Sequence, residues 1–182
     1  TIRPETGGAY NIKEAEGVIR ILQRLSVELG FEGSIGVTTP FHLQADMITK
    51  ALERDSELRN HLELHNQILI DTVHKFQGDE RDVIIFSPVV SEGTKSQSLM
   101  FLKSTGNLFN VAITRARSLL VTVGDKQYCK QCGVSYLEHF AEYSSGNEAP
   151  VEVSEWEHIL QKALSDAGIP VTAQYHVDKY YL

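Results

Sequence analysis

Two short stretches carry side chains that could handle a phosphorylated ligand. The first is Thr72-Val73-His74-Lys75-Phe76-Gln77-Gly78-Asp79-Glu80, lying between the apolar runs Ile68-Leu69-Ile70 and Val83-Ile84-Ile85-Phe86. Thr72, His74 and Lys75 supply donors suited to phosphate, and Glu80 supplies acceptors suited to a ribose hydroxyl. Gly78 permits a backbone shape or close approach that other residues resist. The same residues would also serve as the solvated tip of a strand connection, and chemistry alone leaves both readings open. The second stretch is Asn110-Val111-Ala112-Ile113-Thr114-Arg115-Ala116-Arg117. Asn110, Thr114 and Arg117 lie within helical steps of one another, while Arg115 sits among small residues and could extend rigidly toward an anion. Taken singly, this stretch reads as a surface helix end whose two cations favour the C-terminal dipole.

The elements that must position these residues alternate between helix and strand. Asn11 to Gly30 has Ala15, Val18, Ile19, Leu22, Leu25 and Leu29 at three- and four-residue steps, the pattern of an amphipathic helix stopped by Gly30. Ser34 to Thr38 reads as a buried strand, and Thr39-Pro40 as the cap of a second helix running to about Leu52. A charged, exposed helix over 55–65 precedes strands at 67–73 and 83–87. Pro88 to Thr105 has loop composition, at a length that suggests function. A helix over 107–116 and a strand over 119–123 follow. Strands apolar on both faces, alternating with helices, predict an α/β fold: a mostly parallel sheet covered by helices on each side. Because ligands of such sheets bind at an edge, Thr72 to Glu80 and Arg115 are expected together at one edge.

A linker-like segment, 143–153, separates this 1–142 domain from a tail. In the tail, Ser154-Glu155-Trp156-Glu157 has the form of a capping box ahead of a helical face of Trp156, Ile159, Leu160, Ala163 and Leu164. Gly168 and Pro170 stop that helix, and Val171 to Val177 begins a strand. One helix and one strand cannot make their own core, so 154–182 is expected to be the truncated start of a further domain.

With a net charge of −7 over 182 residues, the chain is not a polyanion binder by bulk electrostatics, although a few placed donors can still bind phosphates. No apolar run approaches the ~20 residues of a membrane helix, so no membrane partner is expected. Cys129 and Cys132 form a single Cys-x-x-Cys, and a zinc site needs four ligands. Plain reduced thiols, half of a shared metal site and a redox pair stay open; no metal ligands are assigned, and a cytoplasmic location fits. No Gly-x-x-x-x-Gly-Lys-Ser/Thr loop is present to cradle phosphates.

Together the two stretches resemble motifs V and VI of superfamily-one helicases, which read roughly Thr-x-His-x-x-Gln-Gly-x-Glu and Asn-Val-Ala-x-Thr-Arg-Ala. They stand in the right order, about thirty residues apart. Upstream, Ile35-Gly36-Val37-Thr38-Thr39-Pro40-Phe41-His42-Leu43-Gln44 looks like the family's strand–Thr-Pro–helix segment, and Asn11-Ile12-Lys13-Glu14-Ala15 like the helix start before it. The likeness covers about residues 1 to 125. It implies the second, C-terminal RecA-like domain of such a helicase, with the P-loop NTPase-type fold. It also implies that ATP with Mg2+ is held mainly by the first RecA-like domain of the same polypeptide, with single-stranded DNA or RNA as the other partner.

By the same resemblance, Arg115 is the arginine finger reaching the γ-phosphate, Glu80 meets the nucleotide sugar, and Gly78 shapes that turn. Gln77 links the nucleotide and nucleic-acid sites. Thr72 and His74 lie near the bound strand's phosphates, with Lys75, Asn110 and Thr114 as further nucleic-acid contacts. Gln44 is the weakest correspondence and could equally be a local hydrogen-bond partner. Without the phosphate-cradling loop, the chain alone is expected to be inactive as an ATPase. Two other functions compete with the motor: a catalytically inert interaction domain, and the delivery module of a helicase–nuclease fusion. The second arises because Ser154-x-Trp156-Glu157, Gln174-Tyr175-His176-Val177 and Tyr180-x-Leu182 look like the opening of a Vsr-like endonuclease domain. In that tail Glu157 is the only candidate site residue, and capping its own helix accounts for it without any function.

Overall fold

The computed structural model describes residues 1–2, 8–76, 78–143 and 155–166. Its centre is a four-stranded sheet of β1 (Ile35–Thr39), β2 (Ile68–Thr72), β3 (Arg81–Phe86) and β4 (Ala116–Thr122), in the order β2-β1-β3-β4. All three pairings are parallel. The α/β fold expected from the alternation of elements is the one observed, and it is consistent with the RecA-like domain that the resemblance implies.

Strand alternation sends side chains to two separate cores. Val83, Ile85, Leu119 and Val121 face one layer, built from α1 (Ile12–Gln23), α2 (His42–Arg54) and α3 (Ser56–His65). Ile84, Phe86 and Leu120 face the other, with α4 (Ser96–Ser104), α5 (Gly106–Ile113), α6 (Lys126–Cys129) and α7 (Ser135–Tyr143). Each fully buried Val, Leu, Ile or Phe contributes about 1.5–3 kcal/mol, so the two apolar layers are the main source of stability. α1 is capped by the Asn11 side chain, which accepts from the Lys13 and Glu14 N–H groups. Its apolar stripe of Ala15, Val18, Ile21 and Leu22 is buried, and a π-helical turn over Arg24–Glu28 keeps Leu25 in the same layer. Gly30, in the left-handed region at φ +64°, ends the segment.

Several local expectations need correction. Thr39 does not cap α2. It stays in the β1–β2 ladder opposite Thr72, the residue before the helix is Phe41, and no side chain caps that end. The 88–105 segment is not loop throughout, because Ser96–Ser104 forms α4. That helix is polar apart from a short apolar turn: Leu102 is buried, and Phe101 stacks at 5.4 Å from Phe41. α7 was not foreseen either; its Leu137 and Phe140 pack into the α5 layer, with Phe140 edge-on to Phe109.

The tail contributes α8 (Glu155–Asp166), and its Leu164 is fully buried in the layer of α1–α3. Ser154, most of the 143–153 segment and the 171–177 strand lie outside the described residues, as does any capping role of Glu157. Cys129 and Cys132 are buried in the α5 layer, and burial pushes the Cys129 thiol well above its usual range, as for a small apolar core residue. Among the described residues, no helix is long and apolar enough to cross a membrane.

Candidate functional site

The connection from β2 to β3 decides where the first motif lies. Parallel strands start at the same edge, so this connection must travel from the carboxyl edge of β2 back to the amino edge of β3. It does so through a single 3-10 turn, Val73–Phe76, laid over β1. A Cβ at Gly36 would stand 2.7 Å from Phe76 Cε1 and 2.6 Å from Ile84 Cδ1, so glycine there is what lets the connection sit flat on the sheet. The expectation of one common edge therefore fails. Thr72 ends β2 at the carboxyl edge, while Gly78 and Glu80 precede β3 at the amino edge. His74 and Lys75 are exposed on the crossing itself, and Gln77 lies outside the described residues.

Arg115 joins the amino-edge group. Its carbonyl accepts the Arg81 N–H at 2.9 Å, so the residue entering β4 is tied to the start of β3. Gly78 has φ +82°, where side-chain-bearing residues are strained. Three arginines and three carboxylates gather here. Arg81 pairs with Asp79 at 2.8 Å, and Arg117 reaches Glu80 at 3.4 Å and Asp82 at 3.8 Å. Asp82 is anchored to the start of β1, accepting the Ser34 N–H at 2.8 Å and its hydroxyl at 2.6 Å. Burial works to raise the Asp82 carboxyl, but the Ser34 hydrogen bonds and Arg117 outweigh it and hold it below the usual carboxylate range.

Arg115 differs from its neighbours. Its guanidinium is half-buried and donates to the Thr114 hydroxyl at 3.2 Å, and it meets no carboxylate among the described residues. Its Nε, like that of Arg81, is buried without a hydrogen-bond partner among the described residues. A cation left uncommitted beside two committed ones can still meet an arriving anion. Thr114 is itself tied back to the end of α5, its hydroxyl donating to the Asn110 carbonyl at 2.8 Å, while the Asn110 side chain is exposed one turn earlier.

At the carboxyl edge, Thr72 is buried and its hydroxyl is turned onto Asp71 at 3.3 Å. At the same edge lies a polar network of which the sequence pointed only to Gln44 and the Asn11-to-Glu14 helix start. Glu14 from α1 accepts the Ser87 hydroxyl at 2.6 Å, the Val89 N–H at 2.9 Å and the Asn11 side-chain amide at 3.0 Å. Gln44 donates to Ser87 Oγ at 3.0 Å and exchanges hydrogen bonds with the Asn11 backbone. Gln44 is thus a local hydrogen-bond partner here. Burial pushes the Glu14 carboxyl up to about 7, against the hydrogen bonds from Ser87, Val89 and Asn11 that pull it down. Val89 holds φ +62°, a costly conformation for a β-branched residue, and its N–H is fastened to that carboxylate. A cleft of about 580 Å³ opens alongside, lined by Asn11, Lys13, Glu14, Ser91, Glu92 and Asp125. The network members stand at positions 11, 14, 44, 87 and 89, and apart from the Asn11-x-x-Glu14 helix start no local spacing reveals them.

Residues 3–127 match the AAA domain family. DNA polymerase alpha-associated DNA helicase A of Saccharomyces cerevisiae is 36% identical over 141 residues, covering 78% of this chain and 19% of its own. Regulator of nonsense transcripts 1 of Dictyostelium discoideum is 35% identical, covering 71% of this chain and 10% of its own. Helicase sen1 of Schizosaccharomyces pombe is 34% identical, covering 69% of this chain and 7% of its own. The chain spans less than a fifth of the length of these relatives. A solved O-methyltransferase family protein from Burkholderia thailandensis overlays with a TM-score of only 0.30 at 10% identity, covering 86% of this chain and 51% of its own. With both motifs placed on a parallel sheet and the family match spanning them, the chain belongs to the AAA domain family and is a superfamily-one helicase domain.

Proposed function

We propose that this domain is the second motor half of an ATP-dependent DNA or RNA helicase or translocase, with Arg115 as its arginine finger. One observation carries the reading: among three arginines at the amino edge, Arg115 alone meets no carboxylate among the described residues. In a phosphoryl transfer, charge spreads over the oxygens of the transferring group, and a guanidinium held in place beforehand stabilises that charge. Glu80, about half exposed at the same edge, has an oxygen suited to a ribose hydroxyl. The phosphate cradle and the Mg2+ ligands belong to the first RecA-like domain of the same polypeptide, so the nucleotide is completed only when the two domains close. His74, Lys75, Asn110 and Thr114 are the contacts proposed for a single strand. Thr72 can join them only after its hydroxyl leaves Asp71.

The test uses the full-length protein that carries this domain. Arg115→Ala should cut ATP turnover by about 10³-fold or more while affecting nucleotide affinity far less, because a finger acts chiefly on the transition state. Glu80→Ala should show the opposite balance, since a sugar contact changes little between ground and transition states. Near-normal turnover in Arg115→Ala would overturn the assignment.

A further inference from the structure

The amino edge holds a chain of side-chain contacts between the starts of neighbouring strands. It runs from Ser34 to Asp82, from Asp82 to Arg117, and from Arg117 to Glu80. These residues come from the starts of β1, β3 and β4, so the chain spans three strands along one edge. Its first link is tight, with Ser34 giving Asp82 both N–H and hydroxyl. Its last link is open: the Arg117 and Glu80 side chains are 57% and 51% exposed. An ion pair that exposed adds little to folding stability.

The strand register is adjusted at this point. Arg81 pairs with Ala116 and Val83 with Leu119, so Arg117 and Ser118 together face the single residue Asp82. Such an extra residue re-aims side chains and occurs preferentially beside functional sites. Arg117 contacts Glu80 through Oε2 alone, and no contact to Oε1 is present among the described residues. A carboxylate gripped by one oxygen keeps its second oxygen for another donor, and the grip biases its orientation without locking it.

We infer that Arg117 is a positioning residue that orients the Glu80 carboxylate toward a ribose hydroxyl of the nucleotide, so that the domain discriminates between nucleotides by that hydroxyl. The inference rests on the motor reading above and adds the residue that gives Glu80 its selectivity. Arg117 acts through Glu80 and does not touch the phosphates; that task falls to Arg115. Asp82 serves as the anchor that keeps Arg117 from swinging away.

The experiment measures kcat and KM of the full-length protein for ATP, 2′-deoxy-ATP and 3′-deoxy-ATP. Wild type, Arg117→Ala, Arg117→Lys and Arg115→Ala are compared, with thermal melting to establish that each is folded. The expected wild type prefers ATP over at least one deoxy analogue. Arg117→Ala should raise KM for ATP by about five- to tenfold, the scale of one hydrogen bond, and shrink that preference toward one. Arg117→Lys, which keeps a cation near Glu80, should restore part of the preference, whereas a purely structural role would leave the ratio between nucleotides unmoved. An unchanged preference in folded Arg117→Ala, alongside a collapse of turnover in Arg115→Ala, would sink this inference and leave the motor reading intact. A wild type indifferent to both hydroxyls would sink it too, as would a kcat loss in Arg117→Ala as large as that in Arg115→Ala. Normal turnover in Arg115→Ala would instead count against the motor reading itself.

Discussion

The two edges of the sheet handle polar groups in opposite ways. At the amino edge, arginines and carboxylates stand partly in water and grip one another at 2.8–3.8 Å through flexible side chains. At the carboxyl edge, Glu14, Ser87 and Gln44 are shut away from solvent, and Glu14 is saturated with donors from three directions. An exposed ion pair can be exchanged for a ligand at small cost, whereas a buried carboxylate that loses its partners leaves several groups unpaired in an apolar surrounding. The first arrangement suits a surface that meets a changing partner. The second fastens α1, α2 and the chain leaving β3 to one another.

Unfolding measurements should separate the edges. The largest effect is expected for Glu14→Ala, which strands the Val89 N–H and the Ser87 hydroxyl, leaves the Asn11 amide only its longer bond to Ser91, and removes what holds Val89 at positive φ. Urea denaturation should show a loss of roughly 4 kcal/mol; a loss below about 1 kcal/mol would mean the network relaxes freely. The next effect is a pH dependence. The Glu14 carboxyl titrates near 7 when folded and at its ordinary 4.5 when unfolded. Between those values the folded state keeps a proton that the unfolded chain releases, so this contribution is full below 4.5 and is lost as pH rises toward 7. The swing is about 3 kcal/mol, read as the difference in pH slope between wild type and Glu14→Gln; equal slopes would place Glu14 elsewhere than in this buried network. The smallest effect belongs to the other edge: Arg117→Ala should change stability by less than about 1 kcal/mol. A loss rivalling that of Glu14→Ala would erase the contrast between the edges.

What the sequence makes legible follows from how local each signal is. β1, β2, β3 and β4 announce themselves because a β-branched apolar run is read within one segment. α4 hides because only one turn of Ser96–Ser104 is apolar enough to show helical spacing. Thr72 and Glu80 look like neighbours on one turn, yet the parallel direction of β2 and β3 puts them at opposite edges, which is a property of topology and not of spacing. Of the partners of Glu14, Asn11 is one turn away in the sequence, but Ser87 and Val89 come from more than seventy residues on, and only folding brings those two within hydrogen-bond reach. At the amino edge, Arg115 stands out by its motif. Arg117 stood beside it as a helical-step neighbour, and its tie to Glu80 appears only once β3 and β4 are paired.

The strand order also has a consequence for handling the protein. β2 pairs only with β1 among the described residues, so it is an edge strand, and Ile68, Leu69 and Ile70 along it are only half covered. Unpaired N–H and C=O groups beside aliphatic side chains are a template on which a second molecule can add a strand. Asp71 follows the run within the same strand, and adding a strand there would desolvate its carboxylate. Concentration limits, crystallisability and shelf life of the isolated domain should therefore respond to position 71 more than to any charge on the helices.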